Sequence, residues 1–76
     1  MTFAAAILAR KSPSSAQALH REAATQLERA VKHHRQAAQL HDEGDSRQAE
    51  THGSLAYSHT AHALEVSGRA MNALLW

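Results

Sequence analysis

Imidazole can bind a transition metal, carry a proton near neutral pH, or simply fill space, and this sequence is rich in it. Seven of its 76 residues are histidine. Six of them fall in one stretch, HHRQAAQLHDEGDSRQAETHGSLAYSHTAH, residues 33 to 62. His59 and His62 stand three apart, a spacing that points both side chains the same way from a helix. On this ground His34, His41, His52, His59 and His62 are the candidate metal ligands, for zinc, copper or nickel. Two histidines per layer from each of two chains would make a tetrahedral set. Known sites in helix bundles add carboxylates at fixed offsets, such as Glu-x-x-His. The nearest pair here, Glu50 with His52, is two apart and faces different directions.

Two other readings use the same residues. In one, the histidines are amphipathic spacers along a helix seam, costing some stability while specifying register and partner, as a buried Asn does in coiled coils. In the other they sense protons. Protonating all seven would raise the formal charge from +1 to about +8, enough to open a bundle that holds them close together.

The elements that must position these residues are helical. Ser12 followed by Pro13 reads as a helix N-cap and first residue, where a missing N–H costs nothing. From about residue 14 to 43 there is no Gly or Pro, and Ala, Leu, Gln, Glu and Arg dominate. DEGDSRQA is a break, with Gly44 suited to the left-handed position after a helix and Asp45 or Ser46 to the next N-cap. A second helix then runs from about 46 to 74, interrupted only by Gly53 and Gly68. The expected fold is therefore all-α, an antiparallel two-helix hairpin over residues 13–76, preceded by an apolar, partly flexible segment over 1–12.

Heptad spacing sets the expected seam. In the first helix a 4-3 spacing selects Ala16, His20, Ala23, Leu27, Ala30, His34, Ala37 and His41. In the second a 3-4 spacing selects Ala49, His52, Ala56, His59, Ala63, Val66, Ala70 and Ala73. Alanine alternates with a larger residue in both, so the helices could approach closely. The turn EGDSRQA resembles the helix-to-helix turn of tetratricopeptide repeats. That resemblance implies Ala37 opposite Ala49, Ala30 opposite Ala56 and Ala23 opposite Ala63, with His34 beside His52 and Leu27 beside His59. A shift of one heptad would instead pair His41 with His52 and His34 with His59, and the sequence leaves both open. His33 is expected to be solvent-exposed.

A second stripe, Tyr57, Leu64, Met71 and Leu75, stands outside this seam on helix 2, and Val31 widens the apolar face of helix 1 with Ala24 and Ala38. These five large residues are the expected dimer interface, because one hairpin cannot cover its own broad faces. The closed solution is a twofold homodimer, a four-helix bundle. Phe3, Ile7, Leu8 and Trp76 would pack across its ends. A short chain also needs such help: its apolar share of 43% is largely alanine, and such small scaffolds come out near zero when burial is set against chain entropy.

Composition excludes several functions. No cysteine is present, so there is no disulfide, thiolate metal site or cysteine nucleophile. Eight Lys plus Arg against seven Asp plus Glu give no basic stripe for phosphates, so no nucleic-acid partner is expected. Phe3 to Ala9 is apolar, but Arg10 and Lys11 follow rather than precede it, the wrong order for a secretory signal. Seven residues cannot span a bilayer, and the expected location is cytoplasmic. Ser54, Ser58 and His59 lie near one another, yet mid-helix positions supply no oxyanion hole, and no enzyme activity is expected.

The stretch HHRQAAQLHDEGDSRQAETHGSLAYSHTAHALE resembles small His- and Ala-rich proteobacterial proteins of unknown function, with a pattern of roughly HHxxAAxxHxxGDxxxAxxHxxxAxxHxxHAxE. The matching positions are His33, His34, Ala37, Ala38, His41, Gly44, Asp45, Ala49, His52, Ala56, His59, His62, Ala63 and Glu65; Gly53 and the apolar N-terminal run depart from it. The resemblance implies a helical hairpin that assembles into a four-helix bundle, and a bacterial source, and carries no activity or ligand with it. Taken together, the residues point to a non-enzymatic structural or protein-interaction module, with no resident cofactor; the alternative is a His-mediated zinc, copper or nickel binder or a pH-sensitive oligomer.

Overall fold

A computed structural model describes the backbone of residues 2–75 and the side chains of residues 16–72. The chain forms two helices, α1 (Thr2–Asp42) and α2 (Ser46–Leu75), packed against one another as a hairpin. The rod they make measures 64 × 18 × 11 Å along its principal axes. No helix among the described residues is long and apolar enough to cross a membrane.

Helix α1 is longer than the sequence suggests, starting at Thr2 rather than near residue 14 and continuing through Pro13. Nothing in TFAAAILARKS opposes helix formation, since Ala, Leu, Arg and Lys are strong formers. Proline inside a helix removes one backbone hydrogen bond and kinks or breaks many helices, but here the flanking run carries the helix past it. The side chains of Phe3, Ile7, Leu8, Leu75 and Trp76 lie outside the described residues, and with them the packing expected of these five.

The connection closes as the sequence leads one to expect. Gly44 sits in the left-handed region at φ 85°, which only glycine enters without strain. Its N–H donates to the His41 carbonyl at 3.0 Å, and the Asp45 N–H reaches back to the Leu40 carbonyl at 2.8 Å. These two bonds make a Schellman closure that satisfies the last carbonyls of α1. Asp45 then caps α2: its Oδ1 accepts from the Gln48 N–H at 3.1 Å, and its carbonyl accepts from the Ala49 N–H at 3.0 Å.

The core is a double row of alanines. Ala16, Ala23, Ala30 and Ala37 on α1 and Ala49, Ala56, Ala63 and Ala70 on α2 are all buried, with Val66 the one large side chain among the described residues that is fully so. Each alanine methyl contributes on the order of 1 kcal/mol by burial, so the core is thin, in keeping with the composition. The expected seam of α2 holds throughout its described part: His52 and His59 are half-buried between the alanines.

On α1 the expected seam is half right. The alanine row is correct, but the larger residues that alternate with it are Leu19, Gln26, His33 and Leu40, a 3-4 spacing. His20, Leu27, His34 and His41, which the 4-3 spacing selects, are exposed. An alanine row cannot distinguish the two, because both spacings contain it. The neighbours decide: the observed choice places Leu19 and Leu40 where the other would place His20 and His41, and it gives His59 a hydrogen-bond partner in Gln26 and His52 one in His33. Buried polar groups left unpaired cost about 1–3 kcal/mol each. The described residues contain no buried side-chain N or O without a partner.

These cross-helix bonds also establish the register. Contacts from His33 to His52 and from Gln26 to His59 run in step with Ala37 facing Ala49 and Ala30 facing Ala56. The alanine pairing implied by the tetratricopeptide-like turn is therefore the register adopted, and the arrangement shifted by one heptad is not, but His52 and His59 meet His33 and Gln26 rather than the expected His34 and Leu27.

Candidate functional site

The hairpin has two unlike broad sides, and adjacent histidines 33 and 34 fall on different ones. One side is polar. Gln36 and Glu43 of α1 meet Gln48 and His52 of α2 around a groove of about 270 Å³, and further along Glu22 Oε2 lies 3.2 Å from His62 Nε2. The other side carries an open groove of about 670 Å³ lined by His41 and Ala37 of α1 with Gly53 and Tyr57 of α2. Rows seven residues apart continue from that groove along each helix: His34 and Leu27 from His41, and Leu64 and Met71 from Tyr57.

On the polar side three imidazoles stack. The His33 ring lies between those of His52, at 5.1 Å between centroids and 25° between planes, and His59, at 5.7 Å and 7°. The Nδ1 atoms of His33 and His52 are 2.9 Å apart, so one ring donates and the other accepts. His59 Nδ1 stands 2.6 Å from Gln26 Oε1, a geometry in which the imidazole N–H donates to the amide oxygen. Gln26 itself is buried, at 8% exposure. Helix α2 supplies His52 and His59 one heptad apart, and α1 inserts His33 between them in the antiparallel direction.

Loss of hydration lowers the His33 pKa below its ordinary value, with smaller contributions from the facing His52 and His59 and from Lys32 beside it, partly opposed by a hydrogen bond to Gln36. The Nδ1 to Nδ1 hydrogen bond needs at least one of the two rings neutral, since two imidazolium rings have no acceptor to offer each other.

The five expected metal ligands are thus divided. His52 and His59 lie in the stack, His62 pairs with Glu22 at its edge, and His34 and His41 face the opposite side of the hairpin. Among the described residues no group of three or more His, Cys, Asp or Glu side chains is arranged to hold a metal ion. His33, expected in solvent, is half-buried at the centre of the stack, and Gln26 was not anticipated as its support. The signal for both lies in the 3-4 spacing from Ala16, which selects Leu19, Gln26, His33 and Leu40 together.

Of the residues expected to form a dimer interface, Val31, Tyr57, Leu64 and Met71 are exposed, at 47%, 75%, 74% and 56%, and Leu27 joins them at 47%. Leu55, at 40%, is the large apolar residue exposed on the polar side. No family model, curated protein or solved structure matches this chain.

Proposed function

We propose that the hairpin is a non-enzymatic interaction module whose first partner is a second copy of itself, the two copies closing their apolar sides into a four-helix bundle. The observation that carries this reading is the placement of Leu27, Val31, Tyr57, Leu64 and Met71. All are exposed, while the core beneath them holds alanines and one valine. The chain has put most of its large described apolar side chains outside its own core. A patch of that kind marks an interaction surface on a small protein.

A second copy suits this surface for three reasons. The broad side of the rod, 64 by 18 Å, exceeds the roughly 800 Å² per partner of a standard stable interface. Its alanine rows leave room for the large side chains of a facing hairpin to enter between the helices, as ridges enter grooves. A twofold arrangement lets one patch satisfy itself, which is the commonest form of oligomer. The test is sedimentation equilibrium at micromolar concentration: the expected species has twice the 8.3 kDa chain mass, and a folded 8.3 kDa monomer overturns the reading.

A further inference from the structure

Three histidines run through the otherwise apolar side on which the two copies would meet. His20, His34 and His41 share one row of α1 with Leu27 at intervals of seven, and all three are exposed in the single hairpin. His41 lines the open groove together with Tyr57 of α2. The next row of α1 is Gln17, Ala24, Val31 and Ala38, while α2 presents Gly53, Thr60 and Ser67 beside Glu50, Tyr57, Leu64 and Met71. None of these rows holds a lysine or an arginine, and Glu50 is their one carboxylate. Further out on α1, Arg21 and Arg35 are balanced by Glu28 and Asp42.

Building on the self-association reading, we propose that His20, His34 and His41 make the contact between copies a proton-operated joint, closed while these imidazoles are neutral and opened as they take up protons. Neutral imidazole has an apolar body and a polar tip, so it suits a boundary shared with Leu27 and Val31. With the three rings neutral, each apolar side carries the single charge of Glu50. With all three protonated it carries three positive charges against that one negative, a net of +2. A twofold axis sets each side against a copy of itself, so both faces change sign together and like meets like. Closing the sides also strips water from imidazolium, and burial disfavours the charged form. Separated copies therefore bind more protons than the closed pair, and association weakens as pH falls. Each ring held neutral in the pair weakens it about tenfold per pH unit once the free chain protonates there. The stack of His33, His52 and His59 is a separate device, since it lies on the polar side and acts within one hairpin.

The test is sedimentation equilibrium at pH 8 and pH 5.5 at fixed ionic strength, with helicity followed by circular dichroism on the same samples. The parent should be a dimer at pH 8, with a dissociation constant that rises about tenfold or more by pH 5.5 while helicity holds. The triple variant His20→Gln, His34→Gln, His41→Gln should dimerise nearly equally at both pH values. His33→Leu, on the polar side, should keep the parent's loss. Where the glutamine variant does not pair at pH 8, leucine at the same three positions replaces it under the same criteria. A parent dimer equally tight at both pH values overturns the proposal, as does a triple variant that loosens as the parent does, or a loss of helicity in step with the loss of mass. A parent that is monomeric at pH 8 defeats the self-association reading itself, and the joint with it.

Discussion

At the scale of single residues, the two polar contacts under the histidine stack are where stability becomes sensitive to chemistry. His33 faces His52 and His59 across the seam and has Lys32 and Gln36 beside it on its own helix. Its folded-state pKa lies below the ordinary value of 6.5, so the unfolded chain takes up a proton first as pH falls. The contribution of His33 to stability is therefore complete above pH 6.5 and is lost progressively below it. Thermal unfolding followed from pH 8 to pH 5 should show a fall that is smaller in His33→Leu, and identical slopes in the two proteins would refute the assignment. Gln26 makes a second prediction. Truncating it to alanine removes the acceptor for His59 and opens a small void, and should cost about 1–3 kcal/mol in urea unfolding; an unchanged midpoint would mean the bond contributes nothing.

Residue types announced this chemistry, but their partition did not follow from type. A helix turns by about 100° per residue, so His33 and His34 look interchangeable in composition and end on opposite sides. The alanine row is shared by both candidate spacings, and the choice between them rests on cross-helix partners that no single helix reveals. Gln26 does not stand out in the sequence, because a glutamine among Ala, Thr, Leu and Glu reads as surface until its partner is known.

At the scale of elements, the glycines separate into those that shape the chain and those that burden it. Gly44 alone has a positive φ, and its replacement by alanine is strained whatever the space around it. A Cβ added at Gly53 or Gly68 meets nothing within 4 Å. Each therefore weakens α2 without a packing return inside the hairpin, and each alanine substitution should stabilise the folded chain by about 0.5–1 kcal/mol. The two differ in position: Gly53 lines the groove beside Tyr57 and His41, while Gly68 is exposed. Gly53→Ala should therefore also weaken self-association, and Gly68→Ala should not. Melting temperature and sedimentation on both variants check this, and a dimer unaffected by Gly53→Ala would move the interface off that groove. The turn between the helices was legible in detail, since Gly and Asp at that spacing have few other uses. The start of α1 was not, because Ser-Pro marks the beginning of many helices but here lies within one.

At the scale of the whole molecule, the separation of a polar from an apolar side is the property that makes a thin hairpin useful. Leu64 is among the most exposed large apolar residues, and it makes no part of the hairpin core. Leu64→Lys should leave helicity nearly unchanged in dilute solution while converting the proposed dimer to the 8.3 kDa chain. Retention of the dimer would show that the second copy docks elsewhere. The expectation of a two-helix hairpin followed from two runs of helix-forming residues divided by the Gly44 turn, whereas the one-sided distribution of its apolar surplus depended on the seam spacing of α1 and so emerged only with the folded chain.

The alanine seam has a mechanical consequence. A row of methyl groups is a surface of low corrugation: sliding α2 along α1 by one heptad, about 10 Å at 1.5 Å per residue, would set alanine against alanine again. Interlocking side chains, which hold most helix pairs in phase, are nearly absent from that row. The phase is held instead at one end, by the short closure through Gly44 and Asp45, and midway by the two polar latches from His33 and Gln26. The hairpin is thus a slide with a fixed stop, and a flexible insertion at the stop would free it to shear or to exchange α2 with a neighbouring chain.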